Sequence, residues 1–307
     1  MGTKDFFTCS DGHKLAYNLW LPSGDRIKAF VQILHGMAEY SDRYEKFALF
    51  LNSKGIGVFA PDHRGHGDTA NPDEVGWFYE SNGWERVCKD AFELADYITS
   101  LYSVSTTFLL GHSMGSFLAR TLMVEHLDFY SGVILSGTGA NRGIEGKLGE
   151  FICKREIKKN GTKSRGTIVN KFFFKSLNKH IENSKTDFDW LSCDSNEVEK
   201  YIRDPKCGFI CTYQFFLDLF EGIKIANDPL KAAVIPKDLP ILIISGENDP
   251  VGNMGKGVKK VYKLYKNAGI ADVSLKLLPN ARHEILNEIN KQEVYDIITS
   301  WIINHIS

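Results

Sequence analysis

Apolar positions along the 307-residue chain follow two rhythms. Short runs rich in β-formers read as strands at Ala29–Leu34, Ile56–Ala60, Thr106–Leu110, Gly132–Ser136, Pro240–Ser245 and Val273–Leu278. Between them, segments with helical spacing cover Tyr44–Ser53, Trp84–Tyr102, Phe117–Val124, Val258–Tyr265 and Val294–His305. Ahead of all of these, Phe6–Cys9 and Leu15–Trp20 flank Ser10-Asp11-Gly12, a turn suited to a hairpin. Strands alternating with helices predict an α/β fold around one mostly parallel sheet. The alternation lapses between the strand ending at Ser136 and the one starting at Pro240, which marks an insertion. The expected organisation is a body of residues 1–139 and 236–307, interrupted by a helical cap over 140–235.

Within the insertion two stripes stand out. Ile168/Val169, Phe172/Phe173, Ser176/Leu177 and His180/Ile181 recur every four residues, with Lys171, Lys175 and Lys179 on another face. Phe209, Tyr213, Phe216 and Phe220 form an aromatic stripe. Both are expected to pack the cap onto the body. Phe174, Phe209 and Tyr213 are the candidates to turn apolar surface toward a substrate pocket beneath it.

The chemistry is concentrated at Gly111-His112-Ser113-Met114-Gly115, placed between a strand and a helix. A serine at such a turn is driven into a strained conformation, and the flanking glycines let helix and strand cross closely. Its hydroxyl needs an imidazole to take its proton, and the imidazole needs a carboxylate to hold its tautomer. In this architecture the order is serine, acid, histidine. Gly246-Glu247-Asn248-Asp249-Pro250 follows a strand, and Asp249 is preferred over Glu247 as the acid. His283 and His305 are the histidines that follow; His305 lies in the terminal helix, so His283 is the expected base. The backbone N–H groups of Met37 and Met114 are the expected oxyanion donors. Glu39 and Arg43, four apart, are suited to brace the loop that carries Met37. His63-x-x-His66 lies among glycines and reads as a structural turn, and His112 as a packing or hydrogen-bonding residue.

Composition narrows the picture further. Hydrophobic residues make up 43% and charged residues 24%, the balance of a globular protein. The formal net charge of −1 gives no sign of nucleic acid as a partner. Yet residues 140–187 carry a net charge of +7, which leaves −8 on the rest, so a basic segment interrupts an acidic body. That basic face suggests peripheral contact with an anionic lipid surface. Six scattered cysteines form no disulfide framework. Cys207 and Cys211, four apart, would share a helix face, but no further ligand at suitable spacing completes a metal site. Met1–Phe6 carries no secretory apolar run, and a cytoplasmic setting is expected.

With these residues placed, the chain resembles the α/β-hydrolase superfamily, and within it the monoacylglycerol lipase and lysophospholipase group, also catalogued with the serine aminopeptidases. The marks are His35-Gly36-Met37-Ala38-Glu39 through Arg43-Tyr44, Asp62-His63-Arg64-Gly65-His66-Gly67, the Ser113 pentapeptide, Asp249, and His283 followed by Glu284. The resemblance implies an eight-stranded sheet, a triad of Ser113, Asp249 and His283, an oxyanion hole at Met37 and Met114, and no metal or other cofactor. Met37 stands where relatives often carry a small residue. The implied reaction is hydrolysis of a small-molecule acyl ester, with release of a fatty acid from monoacylglycerol-like or lysophospholipid-like substrates. Two alternatives stand beside it. An aminopeptidase would use the same triad, with a carboxylate among Asp187, Asp189, Asp194, Glu197 and Glu199 to hold a free amino group. A binding protein would keep the fold without the chemistry.

Overall fold

The computed structural model describes residues 2–24, 26–141, 143–174 and 177–306, without the side chains of 144, 173 and 180. Eight strands form one sheet: β1 (Thr3–Thr8), β2 (Lys14–Trp20), β3 (Ala29–Leu34), β4 (Ile56–Pro61), β5 (Thr107–His112), β6 (Gly132–Ser136), β7 (Ile241–Gly246) and β8 (Val273–Leu278). They lie in the order β1-β2-β4-β3-β5-β6-β7-β8. The β1/β2 hairpin is antiparallel, as is the β2/β4 pair, and every pair from β4 to β8 is parallel. β3, β4, β5, β6 and β7 are buried along their whole length, which is why they read as unbroken apolar runs.

Helices cover both faces. α1 (Glu45–Asn52) and α10 (Lys291–Asn304) bury Phe47, Leu51, Val294 and Ile298 against one side. α2 (Gly83–Tyr102), α3 (Met114–Glu125) and, later in the chain, a helix over Lys256–Asn267 bury Val87, Leu118 and Val261 against the other. The register sets Leu34 beside Gly111, His112 beside Ser136, Ser136 beside Ile244 and Gly246 beside Leu278. The carboxyl ends of five parallel strands therefore share one edge. β4 and β5 lie on opposite sides of β3, so the winding reverses there and opens a crevice at that edge.

Between β6 and β7 the described residues form helices: α4 (Ile144–Asn160), α5 (Thr167–Phe174), α6 (Ser195–Arg203), α7 (Tyr213–Ala226) and α8 (Pro229–Ala233). The helix over Lys256–Asn267 is then α9. The first expected stripe does not make one helix. α5 ends at Phe174, a 3-10 turn covers Leu177–His180, and Lys175 and Ser176 lie outside the described residues. Nor does it all face inward: Val169 is buried, but Ile168 and Phe172 are about half exposed. α4 escapes sequence reading because its buried side is built from Gly149, Cys153 and Glu156, while Leu148 and Phe151 face outward. Thr212 caps α7, accepting from the Phe215 N–H at 3.1 Å. Cys207, Phe209 and Cys211 precede that cap, so the two cysteines share no helix face.

Candidate active site

Ser113 stands between β5 and α3 with φ +52° and ψ −116°, a strained conformation for a residue with a side chain. The surroundings impose it. The Ser113 N–H donates to the Ser136 carbonyl at 2.9 Å, and its own carbonyl accepts from Ser116 Oγ at 2.6 Å. A side chain at Gly115 would strike the Leu34 carbonyl, and one at Gly111 the backbone of Gly115. Close crossing of α3 over β5 is thus possible only with glycine at both places. Met114 opens α3, so its N–H belongs to the first-turn donors that lack an intrahelical acceptor.

Asp249, fully buried in the loop after β7, accepts from His283 Nδ1 at 3.0 Å and from Ser245 Oγ at 3.1 Å through Oδ2. Its other oxygen accepts from the Val251 N–H at 2.8 Å. His283 follows β8, and its ring packs 5.0 Å from that of Trp190 and 4.7 Å from that of His112. Burial works against the imidazolium, yet the Asp249 carboxylate outweighs it and holds the His283 pKa above the usual value. Ser113 and His283 line one cavity of about 220 Å³, together with Met37 and Met114. Gly137, at φ +59°, leaves the imidazole its room: a β-carbon there would lie 3.0 Å from His283 Cε1.

The loop after β3 is held from several sides. His35 Nδ1–H donates to the Gly36 carbonyl at 2.7 Å while Nε2 accepts from the His63 N–H at 2.9 Å, a pattern that needs the neutral ring. Burial favours the same form. The Gly36 N–H donates to Glu39 Oε1 at 2.6 Å, and Tyr44 Oη–H to the same oxygen at 2.9 Å. Arg43 reaches Glu39 at 2.6 Å as the i, i+4 spacing suggested, and also takes both oxygens of Glu284, each at 2.6 Å. Burial would raise the Glu284 pKa, but the guanidinium overrides it and draws it down to about 2. Ala38, at φ +55°, presents its carbonyl to Tyr201 Oη–H and the Gly208 N–H, each at 2.9 Å.

The neighbouring histidines are structural. His63 and His66 pack 4.1 and 5.2 Å from the His35 ring, and burial keeps both neutral, His66 with a pKa near 3. His112 Nδ1 lies 3.2 Å from Ser136 Oγ, and burial beside His283 lowers its pKa to about 4. Among the described residues Cys9, Asp90 and Glu93 gather donor atoms within 4.8 Å of one another. Arg64 and Arg86 already neutralise those carboxylates, at 2.5 Å and 2.7 Å from Asp90, and burial pushes the Cys9 thiol up, so the donor set does not suit a cation.

Of the three expected substrate contacts, Phe174 lines the cavity. Phe209 and Tyr213 do not. Phe209 lies before the α7 cap, packs 5.2 Å from the His66 ring and faces a second cavity. Tyr213, in the first turn of α7, is buried in the core, where its hydroxyl accepts from the Ile168 N–H at 3.5 Å. The later half of the same stripe, Phe216 and Phe220, lines the cavity instead, with Leu219 and Ile223. Trp190 and Glu284 were missed as site residues. Only the adjacency of Glu284 to His283 hinted at its place, and nothing around Trp190 marked it.

Residues 25–290 match the family model described as serine aminopeptidase, S33. Over 306 residues the chain is 27% identical to a monoacylglycerol lipase of Mycolicibacterium smegmatis, covering 96% of this chain and 95% of that one. It is 25% identical to the monoglyceride lipase of Mus musculus, over 97% of this chain and 89% of the relative. A thermostable carboxyl esterase from Bacillus coagulans, solved in complex with glycerol, superposes with a TM-score of 0.91 at 29% identity, covering 100% of this chain and 99% of that one. With the family model matched over most of its length, the chain belongs to the serine aminopeptidase S33 family of α/β-hydrolases.

Proposed function

We propose that the protein is a serine ester hydrolase that releases fatty acid from monoacylglycerol-like or lysophospholipid-like substrates. Ser113 attacks the ester carbonyl, His283 takes its proton, and Asp249 steadies the imidazolium that forms. The N–H groups of Met37 and Met114 stabilise the oxyanion. His283 then protonates the leaving alcohol, and water activated by the same imidazole frees the fatty acid. Residues 140–235 act as the cap over this reaction.

The carrying observation is that Ser113 opens onto an apolar cavity whose carboxylates are all engaged by cations. Glu39 and Glu284 pair with Arg43, and Glu150 with Lys224. An aminopeptidase needs a carboxylate left over for the substrate's amino group, and none of the five candidates raised for that role lines the cavity. Asp189 holds the turn at Thr186, Asp194 caps α6, Glu197 and Glu199 meet Lys200 and Arg203, and Asp187 lines the second cavity. The family resemblance to monoacylglycerol lipases supports the same choice.

The outer face of the cap suits a lipid surface. Leu148 and Phe151 stand exposed on α4 among Lys154, Arg155, Lys158 and Lys159, all exposed. Apolar groups set among cations bind anionic interfaces by insertion and attraction together. No helix among the described residues is long and apolar enough to cross a membrane. Six cysteines without a disulfide suit a reducing, cytoplasmic setting.

A fluorophosphonate that labels the wild type and not Ser113→Ala establishes the nucleophile. Turnover of monoacylglycerols and lysophospholipids against aminoacyl anilides then separates esterase from peptidase; anilide turnover without ester turnover overturns the proposal. For the lipid surface, Ser113→Ala protein is expected to sediment with anionic vesicles and to be released by salt. Equal binding to neutral vesicles refutes the electrostatic part.

A further inference from the structure

The cavity is walled on one side by α4 and on the other by α7. Gly146, Lys147 and Glu150 of α4, with Gly143 just before it, line the cavity at helical spacing, on a partly exposed face beside the buried side at Gly149 and Cys153. Phe216, Leu219, Phe220, Ile223 and Lys224 line it from α7. The two walls differ in kind. That of α7 is bulky and apolar, whereas that of α4 is partly bare: a β-carbon at Gly143 or Gly146 would meet nothing within 4 Å. The two helices pack closely on each other, and the cavity lies as a slot along the angle between their lining faces, where Gly146 leaves it open.

The slot leads away from the nucleophile. Phe117, one turn into α3, lines the cavity beside Ser113. One further turn along, Arg120 Nη2 donates to the Ala226 carbonyl at 2.5 Å. Seven residues of helix rise about 10 Å. The end of α7 that carries Lys224 is therefore anchored two turns of α3 away from Ser113. There the two walls are joined: Lys224 Nζ meets Glu150 Oε1 at 2.8 Å, with Glu221 3.7 Å away. The lysine is 45% exposed and Glu150 15%, so this end faces water.

We propose that the Glu150–Lys224 ion pair is the specificity-determining end of the acyl site, and that it sets the chain length the enzyme prefers. This rests on the ester-hydrolase reading above. An acyl chain bound at Ser113 runs between Phe216, Phe220 and the bare face at Gly146, and each methylene taken from water there raises kcat/KM by roughly fourfold. A methylene that reaches the pair displaces water from charged groups and gains nothing in return. The increments stop where the slot meets Glu150 and Lys224.

The test is kcat/KM for p-nitrophenyl esters from butanoate to palmitate, which report on the acyl site whatever the natural alcohol. Active sites are titrated with fluorophosphonate, and each variant's Tm is recorded. Glu150→Leu/Lys224→Leu is expected to carry the gain one or two methylenes further, raising the long-to-short ratio about 4- to 16-fold. Gly146→Leu fills the slot and shifts the optimum to shorter chains. Glu150→Gln/Lys224→Gln breaks the ion pair but keeps this end polar, and is expected to hold the wild-type cutoff, which a merely structural tie would not do. If the double leucine variant is poorly folded, Glu150→Gln/Lys224→Met serves for the same comparison. A profile of unchanged shape in the folded double leucine variant or its substitute, scaled equally at every length, overturns the proposal. Cleavage of these esters without cleavage of any monoacylglycerol or lysophospholipid refutes the substrate reading but leaves the chain-length result standing. Absence of all ester turnover in the wild type overturns both.

Discussion

Arg43 holds both carboxylate oxygens of Glu284 at 2.6 Å, across 241 positions of sequence, while the same guanidinium reaches Glu39. Glu39 accepts from the Gly36 N–H, next to the proposed oxyanion donor at Met37, and Glu284 directly follows His283. One buried cation therefore joins the loop after β3 to the loop after β8. Removing it leaves two buried carboxylates without a counter-charge, which costs about 3–5 kcal/mol for a pair of this kind. Arg43→Met is expected to unfold at markedly lower denaturant concentration, and a change of under about 1 kcal/mol would mean that the pair is dispensable.

The same pair gives the protein an acid limit. The Glu284 pKa is about 2 in the folded chain against an ordinary 4.5, so its stabilisation is complete above 4.5 and is lost as pH falls toward 2. Glu284→Gln should flatten this part of the stability profile, read by urea denaturation at graded pH.

Asp218 acts in the opposite sense. Burial lifts its pKa to about 7, against the lowering effect of the Gln214 side chain, which donates to Oδ1 at 2.9 Å, and of the Gly83 N–H. Here the folded state binds the extra proton, so the contribution is complete below the ordinary 3.8 and disappears as pH rises through 7. Asp218→Asn keeps the shape without the titration, and its stability relative to the wild type is expected to rise steadily between about pH 4 and 7, read by urea denaturation of both at each pH.

In the proposed mechanism His283 must be neutral to accept the serine proton. Its pKa lies above the usual 6.5, so kcat/KM is expected to fall as pH drops through a value above 6.5. Asp249→Asn removes the charge that steadies the imidazolium and favours the wrong tautomer, and should lower kcat by about 10⁴-fold with little change in fluorophosphonate-free stability. A pH profile unchanged in Asp249→Asn would contradict this role.

Gly137 has a φ that side chains disfavour and sits against the imidazole. Gly137→Ala is expected to lower kcat more than it raises KM, with a loss of about 1 kcal/mol in stability from backbone strain. An equal loss of kcat in Gly12→Ala, at φ +86° in the β1/β2 hairpin and outside the cavity lining, would point to general disruption instead.

The parallel sheet, the elbow at Ser113 and the acid–histidine pairing were legible in the sequence because each is written locally. A strand buried on both faces must be apolar throughout, as Ala29–Leu34 is, and a tight strand-to-helix crossing must have glycine at 111 and 115. The order of Ser113, Asp249 and His283 follows from where successive strands end on one edge. The inserted helices were harder to read. α4 turns Gly149 and Cys153 inward and Phe151 outward, inverting the pattern by which helices are recognised, because it borders a cavity and solvent. Which part of the aromatic stripe meets the cavity depends on where Thr212 starts α7, and on how that helix lies across α3. The placement of Arg43 between Glu39 and Glu284, of Trp190 against His283 and of Lys224 against Glu150 joins residues far apart along the chain. Composition and spacing determined that a serine, an acid and a histidine would stand at the same edge of a sheet. Only the packing of distant elements, decided by which buried charges and surfaces could be satisfied together, determined what surrounds them.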